Sequence, residues 1–142
     1  MIELEHTFST GQGVDYNWEA ILDLDRIIPC VEGGTVLERT AEDSARAEIK
    51  VKMGAMSMTF TGTVSVTERD DGAHRAVFDV RSREKGGSGS ANATVTISLE
   101  GDGGTIHTVP RITGKAASMG EGVTQSVLDA LITDFTQKLA SI

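Results

Sequence analysis

Nucleophiles and metal ligands limit the chemistry that a chain can perform, so they are considered first. The three histidines, His6, His74 and His107, lie far apart, and none has a second ligand at metal-binding spacing. Cys30 is the only cysteine and lies in no recognisable nucleophile signature. No serine fits the Gly-x-Ser-x-Gly pattern. The sequence therefore predicts neither a metal site nor a catalytic nucleophile, and we interpret Cys30 as a small, half-buried residue.

Two glycine-containing segments resemble phosphate-binding loops only in part. Before Thr113-Gly114-Lys115, position 109 is valine where such a loop needs glycine, and Ala116 has no hydroxyl to hold magnesium. Residues 86–90 lie between two predicted strands, so they present no helix N-terminus to a phosphate. We interpret both segments as connectors. We expect the carboxylates of Glu48 and Asp79 to be solvated on the polar faces of strands.

Charge and length narrow the class of protein. The chain has 142 residues, with 13 Lys and Arg against 21 Asp and Glu, and its net charge of −8 disfavours nucleic-acid partners. This length predicts one domain, residues 1–142, with a sizeable core. A single cysteine, no signal-peptide pattern at the N-terminus and no apolar run of about 20 residues predict a soluble, cytoplasmic protein.

The N-terminal part predicts one strand and two short helices. Residues 1–9 read as a strand that ends before Gly11. In residues 14–22, apolar side chains recur at helical spacing and form one face that includes Trp18. A second helical turn is expected over residues 24–28, because Pro29 pushes the preceding residue out of the helical region.

Residues 33–112 change to a period of two, which predicts about six antiparallel strands with one apolar face. Asp70-Asp71-Gly72 and Gly101-Asp102-Gly103-Gly104 predict tight turns between them. In the last strand, residues 105–113, Pro110 has no amide hydrogen, so we expect an edge position or a bulge there.

Residues 115–139 predict a long amphipathic helix that covers the apolar face of the sheet. Gly120 and Gly122 interrupt its first turns. A long helix gripped by a curved antiparallel sheet is an α+β arrangement. The apolar positions of the helix at spacings of three or four are Ala116, Met119, Val123, Val127, Leu131, Phe135 and Leu139.

The predicted interior combines flexible and small side chains. Four of the five methionines fall on the inner surfaces, and Gly62, Ala76, Ala93, Ala116 and Gly120 are small. Methionine adapts to irregular gaps and to apolar ligands. Two interpretations stay open at this point: a cavity between sheet and helix, or a filled core in which methionine is packing material.

Six short motifs follow one another along nearly the whole chain. They are VDYNWEAILD (14–23), IPCVEG (28–33), VKMG (51–54), FTGT (60–63), GSANAT (89–94) and TGKAASMG (113–120). In this order and spacing they resemble the CoxG family of carbon monoxide dehydrogenase subunits, which lies in the START-like, or SRPBCC, superfamily. The resemblance implies the helix-grip fold, an internal hydrophobic pocket under the C-terminal helix, and no established catalytic residue.

From the pocket and the resemblance, we expect a non-catalytic protein that binds a hydrophobic small molecule. The expected ligand is a respiratory quinone such as menaquinone, carried between an aerobic carbon monoxide dehydrogenase, a molybdenum hydroxylase, and the membrane. Transient contact with the inner face of the membrane is part of this expectation, and no covalently bound cofactor is expected. The predicted pocket residues are Ile28, Met53, Met58, Phe60, Phe78, Val80, Val95, Ile97, Met119, Val123, Val127 and Leu131.

Two other functions are weighed against the carrier. The first is an adaptor or assembly factor for the dehydrogenase, with a packed core and a functional outer surface. The second is an enzyme of the cyclase or aromatase type, which needs polar groups inside the pocket. The sequence leaves open whether Arg111 faces inward.

Overall fold

A single antiparallel sheet of seven strands forms the body of the protein. The computed structural model describes residues 2–53 and 55–141, with the side chain of Met53 outside the described part. The strand order is β1-β7-β6-β5-β4-β3-β2, so β1 and β2 are the edges. The strands are β1 Leu4–Ser9, β2 Gly34–Ala41, β3 Ser44–Met53, β4 Met56–Asp70, β5 Arg75–Glu84, β6 Ser90–Glu100 and β7 Gly103–Ile112.

The helices lie between β1 and β2 and after β7. Helix α1 covers Val14–Leu22 and α2 covers Leu24–Ile27, where the Asp23 carboxylate accepts a hydrogen bond from the Asp25 amide at 3.1 Å. A 3₁₀ turn, Ile28–Cys30, leads into β2, and helix α3 covers Glu121–Leu139. The predicted order of one strand, two short helices, six antiparallel strands and a long helix is confirmed. No helix within the described residues is long and apolar enough to cross a membrane.

The start of the C-terminal helix differs from the prediction. Helix α3 begins at Glu121 rather than at residue 115, and the preceding residues form a 3₁₀ turn, Ala117–Met119. The φ angles of Gly114 and Gly120 are 76° and 95°, which no right-handed helix accommodates. Gly120 therefore precedes the helix instead of lying within it, and the apolar row of the sequence is not continuous in space.

Gly62 lies where two neighbouring strands come too close for a side chain. It lies in the middle of β4, between Ala47 of β3 and Ser82 of β5. A Cβ atom on Gly62 would overlap the backbone of Arg81, so only glycine fits.

Helix α1 is attached to the β4–β5 turn, which the Asp70-Asp71-Gly72 motif predicted. The Trp18 indole donates a hydrogen bond to Asp71 Oδ1 at 2.9 Å and meets the His74 ring edge-to-face, 5.5 Å between centroids. Hydrogen bonds from Arg69, and then from Trp18, lower the pKa of the Asp71 carboxyl.

Helix α3 packs across the sheet toward its β1 edge. His6 Nε2 of β1 lies 2.7 Å from Asp129 Oδ1 of α3, and the His6 side chain is 13% exposed. This pair holds the helix against the first strand.

The end of β7 resolves two questions that the sequence raised. Pro110 pairs with Ala93 of β6, and the β1 pairing of β7 ends at Thr108, so Pro110 lies at a local edge as expected. Arg111 faces away from the helix, because its Nη1 donates to Thr94 Oγ1 at 3.3 Å on the outer face. Asp79 shares that face; it is only 23% exposed and pairs with Arg81 at 2.7 Å rather than being freely solvated.

The buried apolar residues form two clusters. The main core includes Trp18, Ile21, Leu24, Phe78, Ile97, Ile106 and Leu139. The second, here called the methionine cluster, comprises Met58, Phe60 and Ala116 with Ile49, Val51, Met56, Ala91, Ile112, Met119 and Val127.

Candidate functional site

A cavity of about 260 Å³ lies between the inner face of the sheet and helix α3. The second half of α3 forms its roof, and α2 with the 3₁₀ turn after it closes one end. Phe60 and Ile49 belong to both its wall and the methionine cluster, which therefore borders the other end. The lining residues are Ile27, Ile28, Val31, Gly34, Ala47, Glu48, Ile49, Phe60, Gly62, Thr63, Val64, Phe78, Val80, Ser82, Ala93, Val95, Ile97, Ile106, Thr108, Leu128, Leu131, Ile132 and Phe135.

The lining is apolar because strand alternation directs one set of side chains inward. On β5 and β6, Phe78, Val80, Val95 and Ile97 face the cavity, while the residues between them face the outer side. Ala93 and Gly62 are the small positions of the wall. Large side chains around two small ones leave the space open, as the cavity interpretation of the sequence required.

Four lining residues have polar side chains, but strand alternation directs those of Glu48 and Thr63 to the outer face, where the sequence placed the Glu48 carboxylate. The two on the inner face are Ser82 and Thr108. Ser82 Oγ donates to the Ala91 carbonyl at 2.5 Å and is thereby engaged within the sheet. Thr108 is 4% exposed, and its Oγ1 has no hydrogen-bond partner among the described residues. The cavity can therefore bury an apolar molecule, and Thr108 is the lining residue whose buried hydroxyl lacks a hydrogen bond.

Seven of the twelve predicted pocket residues lie in the cavity wall. Of the other five, Met53 has its side chain outside the described part of the chain, and Val123 is 40% exposed on α3. Met58, Met119 and Val127 belong to the methionine cluster next to the cavity. The seven in the wall are Ile28, Phe60, Phe78, Val80, Val95, Ile97 and Leu131.

The predicted helix positions outside the wall lie too early along the chain. Met119 precedes α3, and Val123 and Val127 lie before Leu128, the first residue of this helix in the cavity wall. The residues of α3 that line the cavity are its largest apolar side chains, and their spacing of three and four could have identified this face from the sequence. They are Leu128, Leu131, Ile132 and Phe135.

Sheet residues were also missed, although their strand alternation pointed to them. Ala47 and Ile49 of β3 alternate with charged residues, and Val64 and Ile106 continue the inward rows of β4 and β7. The sequence placed these side chains inside but could not tell which of them border open space. The apolar pattern could not reveal Thr108, because its side chain is polar.

Acid–base and metal chemistry find little support in the described residues. They contain no group of three or more His, Cys, Asp or Glu side chains able to hold a metal ion. Cys30 lies outside the cavity wall and is 5% exposed; its Sγ donates to the Arg26 carbonyl at 3.4 Å, and burial raises the pKa of the thiol. A thiol in this state is a poor nucleophile.

A comparison with protein families decides the relationship of this chain. The family model that matches residues 7–142 describes CoxG, a carbon monoxide dehydrogenase subunit. The chain belongs to the CoxG family. Trp18 and the segment from Thr113 to Gly120, which suggested this family, both lie within the matched range. No protein with a curated description matches the sequence.

Solved structures show that this CoxG-family chain has a START-like fold. A conserved protein from Geobacillus kaustophilus is 22% identical with a TM-score of 0.78, covering 98% of this chain and 90% of that one. A START superfamily protein from Mycobacterium smegmatis is 10% identical with a TM-score of 0.62, covering 98% and 94%. An aromatase/cyclase from Streptomyces sp. R1128 is 14% identical with a TM-score of 0.61, covering 99% and 92%.

Proposed function

We propose that this CoxG-family protein is a non-catalytic carrier that holds an apolar quinone, menaquinone in the first place, in the cavity under α3. In this proposal it links an aerobic carbon monoxide dehydrogenase, a molybdenum hydroxylase, to the electron-transport chain of the membrane. The observation that carries the proposal is the apolar cavity of about 260 Å³ between sheet and helix. Burying apolar ligand surface there gains about 25 cal/mol per Å².

The cavity volume limits what part of a quinone it accepts. An apolar cavity of about 150 Å³ holds a benzene ring, and ordinary ligand pockets span about 300–1,000 Å³. A volume of about 260 Å³ therefore suits a bicyclic ring or a short piece of prenyl chain, but not both a ring and a long tail. The remainder of the quinone therefore has to enter space that side chains occupy in this structure.

The methionine cluster supplies that space in the proposal. Met58 of β4 and Met119 of the segment before α3 belong to this cluster, which shares Phe60 and Ile49 with the cavity wall. Unbranched thioether side chains repack at low cost, and an apolar chain replaces their contacts with similar ones. In the proposal, these methionines do not line the cavity as predicted but form one end of it and repack when the rest of the ligand enters.

An enzymatic role of the aromatase/cyclase type receives less support. The similarity to an aromatase/cyclase extends to the fold alone at 14% identity. Glu48 is the one ionisable side chain among the described lining residues, so a pair of groups for proton transfer is lacking there.

The experiment is native mass spectrometry of the purified protein with added menaquinone, paired with thermal unfolding. We expect a one-to-one complex and a higher melting temperature. Ala93→Leu, which extends a side chain into the cavity, is expected to weaken binding at least tenfold, and Ala130→Leu on the exposed face of α3 is the matched control. No complex with the unmodified protein would contradict the carrier proposal.

The adaptor alternative makes a different prediction for the same variants. If the outer surface recruits the dehydrogenase without a ligand, Ala93→Leu retains both dehydrogenase binding and quinone reduction. The carrier proposal expects dehydrogenase binding to persist while quinone reduction falls.

A further inference from the structure

One hydroxyl group inside the cavity wall has no hydrogen bond among the described residues. Thr108 lies on the inner face of β7, two residues after the lining residue Ile106, and is 4% exposed. Its partners across the sheet are Val95 of β6 and Leu4 of β1, whose side chains carry no polar atom. Oγ1 of Thr108 is therefore buried without a partner.

This arrangement has a cost that an apolar residue would avoid. A buried hydroxyl without a partner forfeits the hydrogen bonds that it made with water in the unfolded chain. Valine has the same shape as threonine and would fill the position without that loss. The other buried polar side-chain atoms that lack a partner in the described part of the chain, in His6 and Ser88, belong to residues outside the cavity wall, and Asp134 Oδ2 pairs with Lys138 Nζ at 2.9 Å. Of these residues, only Thr108 lines the cavity.

We infer that Thr108 Oγ1 is the polar anchor of the cavity and binds the carbonyl or hydroxyl oxygen of an otherwise apolar ring. This inference rests on the proposed carrier function and specifies its ligand as an oxygen-bearing molecule rather than a plain hydrocarbon. A threonine hydroxyl both donates and accepts. It donates to the carbonyl of a quinone and accepts from the hydroxyl of the quinol, so one residue holds both redox forms.

The experiment compares two probes of nearly equal shape, 2,3-dimethyl-1,4-naphthoquinone and 2,3-dimethylnaphthalene. Their affinities are measured by calorimetry for the unmodified protein, Thr108→Val and Thr108→Ser. We expect Thr108→Val to raise the Kd of the quinone five- to tenfold, about 1–1.4 kcal/mol, and to leave the hydrocarbon Kd within twofold. Thr108→Ser keeps the hydroxyl and retains most of the quinone affinity.

Two further readouts separate anchoring from a structural role. The melting temperature of ligand-free Thr108→Val is expected to equal or exceed that of the unmodified protein, because an unpartnered hydroxyl is removed. In the unmodified protein, the infrared band of the bound quinone carbonyl is expected at lower frequency than in an alkane solvent, a measurement that needs no variant.

The outcomes distinguish the two proposals. Equal quinone affinity of Thr108→Val and the unmodified protein, with no shift of the carbonyl band, overturns the anchor and leaves the carrier intact. Failure of both probes and of menaquinone to bind the unmodified protein overturns the carrier and the anchor together.

Discussion

Filling the cavity tests whether the interior is hollow. Ala93 lies on β6 between Val80 of β5 and Pro110 of β7, and its side chain borders the open space. Replacing it by leucine adds three carbon atoms. If they enter the cavity without moving their neighbours, each contributes about 0.8 kcal/mol of burial, or about 2.4 kcal/mol together.

The net effect is smaller because the longer side chain loses rotational freedom. Ordering a leucine side chain costs about 0.5–1 kcal/mol, so Ala93→Leu is expected to stabilise the protein by about 1.5 kcal/mol. For a chain of this length each kcal/mol raises the melting temperature by about 2–4 °C, which gives an increase of about 3–6 °C. Empty cavity volume destabilises a protein by on the order of 24 cal/mol per Å³. Filling part of a cavity of about 260 Å³ can therefore supply a stabilisation of about 1.5 kcal/mol.

The assay is urea unfolding and thermal unfolding of Ala93→Leu beside Ala130→Leu. Ala130 is exposed on α3, so its replacement adds the same atoms without entering the cavity and is expected to change stability by less than about 0.5 kcal/mol. If the interior is solid, Ala93→Leu destabilises the protein instead, because overpacking costs about 1–3 kcal/mol. Destabilisation of Ala93→Leu by about 1 kcal/mol or more, with a neutral control, would refute the hollow interior and the carrier with it.

Three other perturbations test separate parts of the fold. Gly62→Ala is expected to lower the melting temperature by more than about 5 °C, since a Cβ there overlaps the neighbouring strand; Gly72→Ala, in an exposed turn, is the comparison. Hydrogen bonds from Arg69 and Trp18 lower the pKa of Asp71, so the carboxylate stabilises the protein fully above about pH 4, and this contribution is lost as the pH falls through the lowered pKa. Between about pH 6 and pH 2.5, the unfolding midpoint of Asp71→Asn should therefore fall less steeply than that of the unmodified protein. Cys30 is buried and the pKa of its thiol is raised, so labelling by a disulfide reagent at about pH 8 should be much slower than in urea, and equal rates would contradict its burial.

Much of the fold could be predicted from local pattern. Alternation over residues 33–112 gave the strands their inner and outer faces, and the turn motifs at Asp70 and Gly101 lie where the chain reverses. The Trp18 helix and a helical turn over Leu24–Ile27 are present as expected. These features depend on neighbours within a few residues, which is the range over which side-chain period and backbone preference act. The expectation that Pro29 pushes Ile28 out of the helical region is wrong, because Ile28 has φ −59° and ψ −43° and Pro29 lies near the start of a 3₁₀ turn, where its missing amide hydrogen is not needed.

The functional region was only partly predictable. The sequence placed the inward residues of β5 and β6 correctly, because strand period fixes which side each faces. It misplaced the helix contribution at Met119, which precedes α3 because Gly120 has a positive φ, and at Val123 and Val127, because the cavity extends under α3 only from Leu128 onward. Neither the methionine cluster nor the cavity could be separated from a single continuous core by pattern alone.

By itself, the sequence determined the class of fold, the family and the apolar character of the interior. The tertiary structure decided which side chains border open space, how large that space is, and that Thr108 is buried without a partner. The physical reason is that the two kinds of feature depend on residues at different separations along the chain. Whether a residue faces inward depends on the period of its own strand or helix, whereas a void depends on the distance between elements. That distance is set by residues far apart in the sequence, on β3 to β7 and on α3, which the fold brings together around the cavity.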